Sequence, residues 1–180
     1  MRGGVGVLVV LIAAAHALAG EPHFQRIGPE KGLQAGDISA IYQDRVGFLW
    51  IGTREGLLLY DGYGVTSFNH DVDDPDSLVD NQVRALLEDR EGRLWIGTGN
   101  AGLDLFDRGR RRFVHHRHDA SDPASIPDNA VHSLLQDRSG ALWVGTIDGV
   151  SCWQDGKFTN FTRASGLADG SVRAISQDPA

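Results

Sequence analysis

One ten-residue motif occurs three times in the chain, and this repetition constrains the fold more than any other feature. The motif reads Asp-Arg-x-Gly-x-Leu-Trp-Ile/Val-Gly-Thr and stands at residues 44–53, 89–98 and 137–146. Its tryptophans are 45 and 48 residues apart, a period typical of four-stranded propeller blades rather than of helical or leucine-rich repeats. The seven residues that end at the first residue of the motif, Val83–Asp89 in the second copy, occur again in similar form at residues 172–178. Residues 20–180 are therefore predicted to be all-β, an incomplete β-propeller of about three blades plus the first strand of a fourth.

Each repeat divides into four short strands. An apolar run ends at Asp-x-x-Gly, where the aspartate accepts amide hydrogen bonds and the glycine adopts a positive φ, so a hairpin turn follows the first strand. The Leu-Trp-Ile/Val-Gly-Thr segment is the second strand, and its tryptophan packs one blade against the next. A second glycine turn leads to the third and fourth strands. The predicted first strands are Ile38–Gln43, Val83–Glu88 and Val131–Gln136, the third strands Leu57–Tyr60, Leu103–Phe106 and Val150–Trp153, and the fourth strands Val65–Asn69, Arg112–Arg117 and Lys157–Phe161, which gives blades at about 38–69, 83–117 and 131–161.

Residues 1–19 differ from the rest of the chain and predict a secretory signal peptide. Arg2 gives a basic start, an apolar run follows, and the small side chains of Ala17 and Ala19 fit the pattern that signal peptidase cleaves. We expect cleavage before Gly20. The alternative is an uncleaved membrane anchor, which is disfavoured because the run is shorter than the roughly 20 apolar residues that cross a bilayer. The remainder of the chain is therefore expected to lie outside the cytoplasm.

The composition argues against two kinds of site. The formal net charge is −7, whereas nucleic-acid binding needs a concentrated basic face, so no nucleic-acid partner is expected. The single cysteine, Cys152, has no second thiol for an internal disulfide or a Cys-x-x-Cys site. We interpret Cys152 as a small buried hydrophobe beside Trp153.

The three motifs, each followed by Gly-Leu/Val and then by Tyr/Phe-Asp or Trp-Gln-Asp, resemble the two-component regulator propeller repeat. The resemblance covers residues 24–178. It implies the periplasmic sensor region of an inner-membrane receptor in bacteria, joined to the membrane only through segments outside this chain. It further implies a histidine kinase, hybrid kinase or diguanylate cyclase as output domain, dimerisation of the full-length receptor, and a small-molecule or oligosaccharide ligand at the propeller mouth. The signatures of WD-repeat and kelch propellers are missing from the motifs.

Three local patterns favour a structural role over a cofactor or a metal. Gly97–Gly102 fits the Gly-x-Gly-x-x-Gly dinucleotide pattern, but a strand and not a helix is predicted to follow it. The aspartates at 71–76 have some of the carboxylate density of a calcium loop, yet the matching segment of the next repeat has fewer, and the EF-hand glycine is missing. Of His115, His116 and His118, at most two share one face of a strand, which does not complete a metal site. We expect no cofactor and no metal.

Catalytic signatures are weak in this sequence. It contains no nucleophile elbow, no His-Glu-x-x-His and no carboxylate pair that the repeated turns leave unexplained. Propeller enzymes assemble their sites from several blades, so a secreted hydrolase, lyase or lactonase stays open as an alternative, as does an interaction scaffold. The favoured function is an extracytoplasmic ligand-sensing region with no catalytic residue in this chain.

A comparison of the first strands predicts where a ligand would bind. Two columns of aligned residues are apolar or small, but the column between them is polar and chemically different in each blade. Because first strands line the channel of a propeller, this column predicts a ring of side chains around a ligand, although solvated residues in a water-filled channel would give the same pattern. Its cationic members favour an anionic or hydroxyl-rich ligand, with loop residues opening to the same face. The predicted ligand-binding residues are Ser39, Arg84, His132 and Arg173 in the ring and Arg54, Asn100 and Asp148 on the loops.

Overall fold

In a computed structural model, which describes residues 37–178, the chain forms three four-stranded antiparallel sheets. The predicted signal peptide at residues 1–19 lies outside the described residues. The strands of each sheet follow one another in sequence order, and the innermost strands of neighbouring sheets contact each other. The three sheets are consecutive blades of a β-propeller, arranged openly and not closed into a ring. Within the described range, no helix is long and apolar enough to span a membrane.

The strand bounds follow the sequence repeats. The first blade contains β1 (Ile38–Gln43), β2 (Leu49–Thr53), β3 (Leu57–Tyr60) and β4 (Val65–Phe68). The second contains β5 (Val83–Glu88), β6 (Leu94–Thr98), β7 (Leu103–Asp107) and β8 (Arg112–His116), and the third contains β9 (Val131–Gln136), β10 (Leu142–Thr146), β11 (Gly149–Gln154) and β12 (Lys157–Phe161). A 3-10 helix at Arg163–Ser165 follows β12. Every predicted strand end in the three blades lies within one residue of the observed one.

The segment at 172–178, predicted as the first strand of a fourth blade, does not form a regular strand. A strand is defined by its ladder of hydrogen bonds, and within the described residues this segment makes a backbone hydrogen bond to β10, from the Val172 amide to the Thr146 carbonyl (2.8 Å), without forming a ladder. The segment nevertheless occupies the place of a first strand. The Arg138 amide donates to the Gln177 side chain (3.0 Å) and the Arg138 guanidinium donates to the Asp178 carbonyl (2.7 Å). The equivalent arginines of the first two blades reach the following blade in the same way.

Two apolar clusters fill the spaces between neighbouring blades. Trp50 lies in the cluster between blades 1 and 2 and Trp95 in the cluster between blades 2 and 3, with only 1% and 0% of their surfaces exposed. His116 packs its ring against Trp95 and Trp153, and burial lowers its pKa, so it fills space in the second cluster and is not free to bind a metal. The buried members are Trp50, Leu57, Leu78, Val83, Leu94, Ile96, Phe106 and Phe113 in the first cluster, and Trp95, Leu103, Ile126, Val131, Leu142, Val144 and Phe158 in the second.

Each Asp-x-x-Gly turn is organised by one carboxylate. Asp89 accepts hydrogen bonds from the Trp95 indole (2.8 Å), the Arg93 amide (2.9 Å) and Arg93 Nε (2.6 Å). Burial by itself would raise the pKa of Asp89, but these hydrogen bonds outweigh it and lower the pKa. Asp44 and Asp137 accept the same indole and amide bonds in the other blades. We call these three turns, at residues 44–48, 89–93 and 137–141, the turn rim.

Candidate ligand-binding site

The innermost strand of every blade contains a β-bulge at the same position. In blade 1, Ile38 pairs with Thr53 and Ala40 pairs with Gly52, so Ser39 has no partner on β2. The same irregularity occurs in β5 and β9. Bulges bend a strand locally and redirect the side chain of the extra residue. We call the three extra residues, Ser39, Arg84 and His132, the axial bulges; they are the predicted ring residues of the first three blades.

The backbone around each bulge is held by a close contact between blades. A Cβ atom added to Gly97 would lie 2.6 Å from Cγ1 of Val131 and 3.2 Å from Cβ of Ala85. The valine that precedes the bulge in the next blade therefore needs a glycine beneath it. The same contact joins Gly52 to Val83 and Gly145 to Val172. This contact explains the glycine in the Leu-Trp-Ile/Val-Gly-Thr motif, and it places Arg173 at the position of an axial bulge.

Arg84 and His132 meet across the boundary between blades 2 and 3. One guanidinium nitrogen of Arg84 lies 3.3 Å from Nδ1 of His132. A guanidinium can only donate, so Nδ1 accepts, and His132 is a neutral imidazole with its proton on Nε2. Burial, followed by the positive charges of Arg84 and Arg173, lowers the pKa of His132, while Asp128 opposes this shift. The structure therefore brings three of the predicted ring residues into one electrostatic neighbourhood.

Ser39, the ring residue of blade 1, is held by the backbone. Its hydroxyl contacts the carbonyl oxygens of Gly52 (3.0 Å) and Val83 (2.5 Å). Its single proton is thus committed to a carbonyl, and only an oxygen lone pair is available to a ligand. The ring is consequently asymmetric, with Ser39 fixed on one side and the basic residues on the other.

Among the predicted loop residues, Asn100 joins the neighbourhood of Arg84. The Asn100 amide and side chain bond to Asp80 Oδ2 (3.1 and 3.4 Å), and its side chain also donates to Gln82 Oε1 (3.0 Å). The same Gln82 oxygen lies 3.5 Å from the Arg84 guanidinium. Sequence comparison did not identify Asp80 or Gln82 as site residues. The available signal for Asp80 was its match with Asp128 before the next first strand, whereas Gln82 is matched by Ala130 and gave no signal.

The other two predicted loop residues make different contacts. Arg54 is exposed and faces the carboxylate of Asp37 at 3.6 Å. Asp148 is also exposed and lines a groove of about 570 Å³ that includes Asn160 and the segment at 118–127. No contact within the described range links Asp148 to Arg84 or His132.

The arrangement is suited to binding an oxygen-rich or anionic group. Within residues 37–178, no carboxylate lies at ion-pair distance from Arg84 or Arg173, whereas exposed arginines such as Arg110 and Arg163 are paired with aspartates. A guanidinium without a carboxylate partner offers donors in a planar fork that suits carboxylate, sulfate and phosphate oxygens. In the described part of the chain, no group of three or more His, Cys, Asp or Glu side chains is arranged to hold a metal ion.

Comparison with known proteins agrees with this architecture. The family model described as two component regulator propeller matches residues 32–55, 77–100 and 125–148. A search of curated proteins found no match. A solved structure named as the extracellular domain of a hybrid two component system from B. thetaiotaomicron is 27% identical, with a TM-score of 0.79 over 84% of this chain and 22% of that one.

Two further solved structures share the fold. One is named as the extracellular domain of a one component system from B. thetaiotaomicron; it is 23% identical, with a TM-score of 0.69 over 88% of this chain and 24% of that one. The other is an inactive virginiamycin B lyase from Staphylococcus aureus, 11% identical, with a TM-score of 0.54 over 77% of this chain and 44% of that one. This chain spans less than a quarter of the two extracellular domains.

Proposed function

Because the chain carries three repeats of the two component regulator propeller family, we propose that it senses a ligand outside the cytoplasm as part of a bacterial signal-transduction receptor. The similarity to an extracellular domain of a hybrid two component system supports this proposal. The strongest support for ligand sensing comes from the axial bulges, because their side chains differ from blade to blade on a backbone that otherwise repeats. Packing alone gives no reason for that difference.

The chemistry of the site favours an anionic, hydroxyl-rich ligand such as an acidic oligosaccharide. Arg84 and Arg173 provide charged donors, Nε2 of His132 provides a neutral donor, and Asn100 lies beside Arg84 through their shared contact with Gln82. Binding at this ring would contact blades 2 and 3 at once. It would therefore favour one packing of the blades over another and bias the receptor between two states.

Export, dimerisation and output belong to the same proposal. The predicted signal peptide would direct the chain to the periplasm, and N-terminal sequencing of the processed protein should begin at Gly20. A protein that keeps Met1 and remains in the membrane after carbonate extraction would instead have an uncleaved anchor. Membrane attachment and a kinase or cyclase output are assigned to segments outside this chain, and pairing with a second copy is proposed for the full-length receptor.

Isothermal titration calorimetry on the protein expressed from its complete gene tests the ligand class. The probes are a galacturonate trisaccharide, which carries carboxylates, and maltotriose, which is neutral and of similar size. We expect the acidic trisaccharide to bind at least about tenfold more tightly, and its affinity to fall with added salt, because guanidinium–carboxylate contacts are screened. Equal affinity for the two probes, or no binding of either, would contradict the proposed ligand class.

A further inference from the structure

The segments that join consecutive blades fold alike in almost every contact. The blade-2 join (residues 69–82) and the blade-3 join (residues 117–130) both have a histidine as their second residue, and its Nδ1 lies 2.8 Å from a carbonyl eight residues later. In both joins the amide of that histidine donates to an asparagine side chain. Two aspartates then accept amide hydrogen bonds from residues two positions ahead. The joins thus form a matched pair within one molecule.

Hydrogen bonds from an ionisable pair of side chains connect the blade-2 join to the outer strands of its blade. Asp104 on β7 is fully buried and accepts a hydrogen bond from the Val79 amide (2.8 Å) through Oδ2. Its other oxygen lies 2.6 Å from Nδ1 of His115 on β8. The second ring nitrogen, Nε2 of His115, lies 2.8 Å from the carbonyl of Pro75. Two side chains therefore contact the join at two separate points.

At the equivalent positions of the blade-3 join, the connecting hydrogen bonds involve no ionisable group. Ser151 on β11 is fully buried, and its hydroxyl donates to the Asn160 side-chain oxygen (2.5 Å). The Asn160 amide donates to the carbonyls of Pro123 (3.1 Å) and Ser125 (2.6 Å). Both protons of the amide are thus used, and no group in this contact changes charge between neutral and alkaline pH.

The three differences between the two joins are chemically coupled. Blade 3 has Pro127 where blade 2 has Val79, and proline has no amide proton to donate. A buried acceptor such as Asp104 would then lack one of its donors, and a serine stands there instead. The change of Asp104 to serine in turn removes the reason for a cationic partner, and an asparagine replaces the histidine.

The geometry of His115 requires an extra proton. Both of its ring nitrogens face acceptor oxygens, and a neutral imidazole carries only one N–H. The contacts with Pro75 and Asp104 can therefore both be hydrogen bonds only when the pair holds one proton beyond the neutral ring and ionised carboxylate. The hydrogen bond to Asp104 raises the pKa of His115, against the opposing effect of burial. Burial raises the pKa of Asp104.

Within residues 37–178, few other charged groups lie near the pair. Arg117 acts electrostatically on both members, and His116 lies beside His115 but points into the apolar cluster. Asp76 of the join faces Arg112 on β8 at 3.7 Å. Arg117 opposes protonation of His115, whereas Asp104 favours it and is the larger effect.

The part of the join that Asp104 and His115 contact is followed in sequence by residues of the candidate ligand site. Val79, whose amide donates to Asp104, is followed by Asp80 and Gln82. Both of these residues contact Asn100, and Gln82 also contacts Arg84. We propose that Asp104 and His115 form a proton-dependent latch on the blade-2 join, which positions Asn100 and Arg84 for the ligand. The latch itself is independent of the ligand, but its positioning role rests on the proposed function.

Hydrogen–deuterium exchange on the protein expressed from its complete gene tests the latch. The stabilisation from a raised histidine pKa is present below the unfolded value of about 6.5 and is lost as pH rises through the folded value. After correction for intrinsic exchange, we expect protection of residues 74–79 to fall about tenfold or more between about pH 6 and about pH 9. Protection of residues 122–127 should stay constant over that range.

A transplant of the blade-3 residues is the matched control. The triple variant Val79→Pro, Asp104→Ser, His115→Asn should keep the join protected and remove its pH dependence. Asp104→Ser alone should lower protection of residues 74–79 at every pH, because His115 and the Val79 amide lose their partner. A wild-type join with pH-independent protection, or a triple variant that retains the pH dependence, would overturn the latch.

Affinity for the galacturonate trisaccharide separates the latch from the proposed function. If the positioning role holds, the affinity of the wild type falls over the same pH range as join protection, and that of the triple variant does not. If join protection changes with pH but affinity does not, the latch exists and its positioning role is wrong. If the probe does not bind while join protection still depends on pH, the proposed ligand class fails and the latch stands.

Discussion

The turn rim and the axial bulges lie at different ends of the same short strands, yet they repeat with very different fidelity. At the rim, the aspartate, the tryptophan it bonds and the arginine that reaches the next blade occur in all three blades. At the bulges, only the backbone irregularity repeats, while the side chain changes from serine to arginine to histidine. Residues that hold blades together are constrained by the same buried geometry each time. Residues that face the axis are free to differ, and a ligand would give a reason for the difference.

The largest effect should come from removing a rim carboxylate. Asp89→Ala leaves the buried Trp95 indole and the Arg93 amide without their acceptor. We expect a loss of about 3 to 5 kcal/mol in the free energy of unfolding, measured from the urea midpoint. Asp137→Ala should cost less, because Trp143 is only half-buried. Equal losses in the two variants would contradict the role given to burial.

The next largest effect should come from the close contact beneath a bulge. In Gly97→Ala, the new methyl group would lie 2.6 Å from Cγ1 of Val131, so one blade must move away from the other. Overpacking of this kind costs about 1 to 3 kcal/mol. Gly64→Ala is the matched control, since a Cβ there meets nothing within 4 Å, and its effect should stay within about 0.5 kcal/mol. Indistinguishable urea midpoints for the two variants would refute the contact.

The rim should also determine how the blades respond to acid. Hydrogen bonds from Ser139 and from the Trp143 indole lower the pKa of Asp137 to about 2, and the pKa of Asp44 and of Asp89 is lowered as well. A depressed carboxyl pKa stabilises the fold above the unfolded value of about 3.9, and this stability is lost as pH falls through the folded value.

The rim carboxylates should therefore contribute no change of the urea midpoint between about pH 7 and about pH 5, and they should make it decline below about pH 4. In Asp137→Asn, which cannot ionise, the decline should be smaller because only two rim carboxylates are left to titrate. An unchanged decline in Asp137→Asn would show that this rim carboxylate does not contribute to the acid response.

The sequence predicted the rim better than the axis, and the reason is physical. Asp89 and Trp95 belong to one local motif that occurs three times, so strand ends and turn chemistry could be predicted from the motif itself. The bulges could not, because an extra residue in a strand depends on pairing that one strand's sequence does not show. Ser39 was predicted to face a ligand, but the adjacent carbonyls, which hold its proton, belong to other strands.

The contacts of the blade-2 join were even less accessible to sequence analysis. Asp104 was predicted only as part of a strand, and His115 was considered only as a metal ligand. Their contact joins two strands of one blade to a segment about 25 to 40 residues earlier in the chain, which no local pattern reports. The comparison of aligned residues between blades 2 and 3 becomes informative only after the structure shows which of them touch.

The smallest effect on stability should come from the axial bulges, and it completes the contrast with the rim. Arg84→Ala and His132→Ala each remove a half-buried side chain whose one mutual contact is a hydrogen bond of 3.3 Å. We expect each to change the free energy of unfolding by about 1 kcal/mol or less.

Each should nevertheless weaken binding of the galacturonate trisaccharide about tenfold or more, because a charge-assisted or buried hydrogen bond to the ligand is lost. Arg110→Ala, which removes an exposed arginine paired with Asp107 on the β7–β8 turn, is the control and should leave affinity nearly unchanged. An NMR titration adds an internal check: Arg84→Ala removes one of the positive charges that lower the pKa of His132, so that pKa should rise toward its ordinary value. If both bulge variants bind the probe as tightly as the wild type while the His132 pKa rises as expected, the two side chains are neighbours in a solvated channel and the ligand does not contact them.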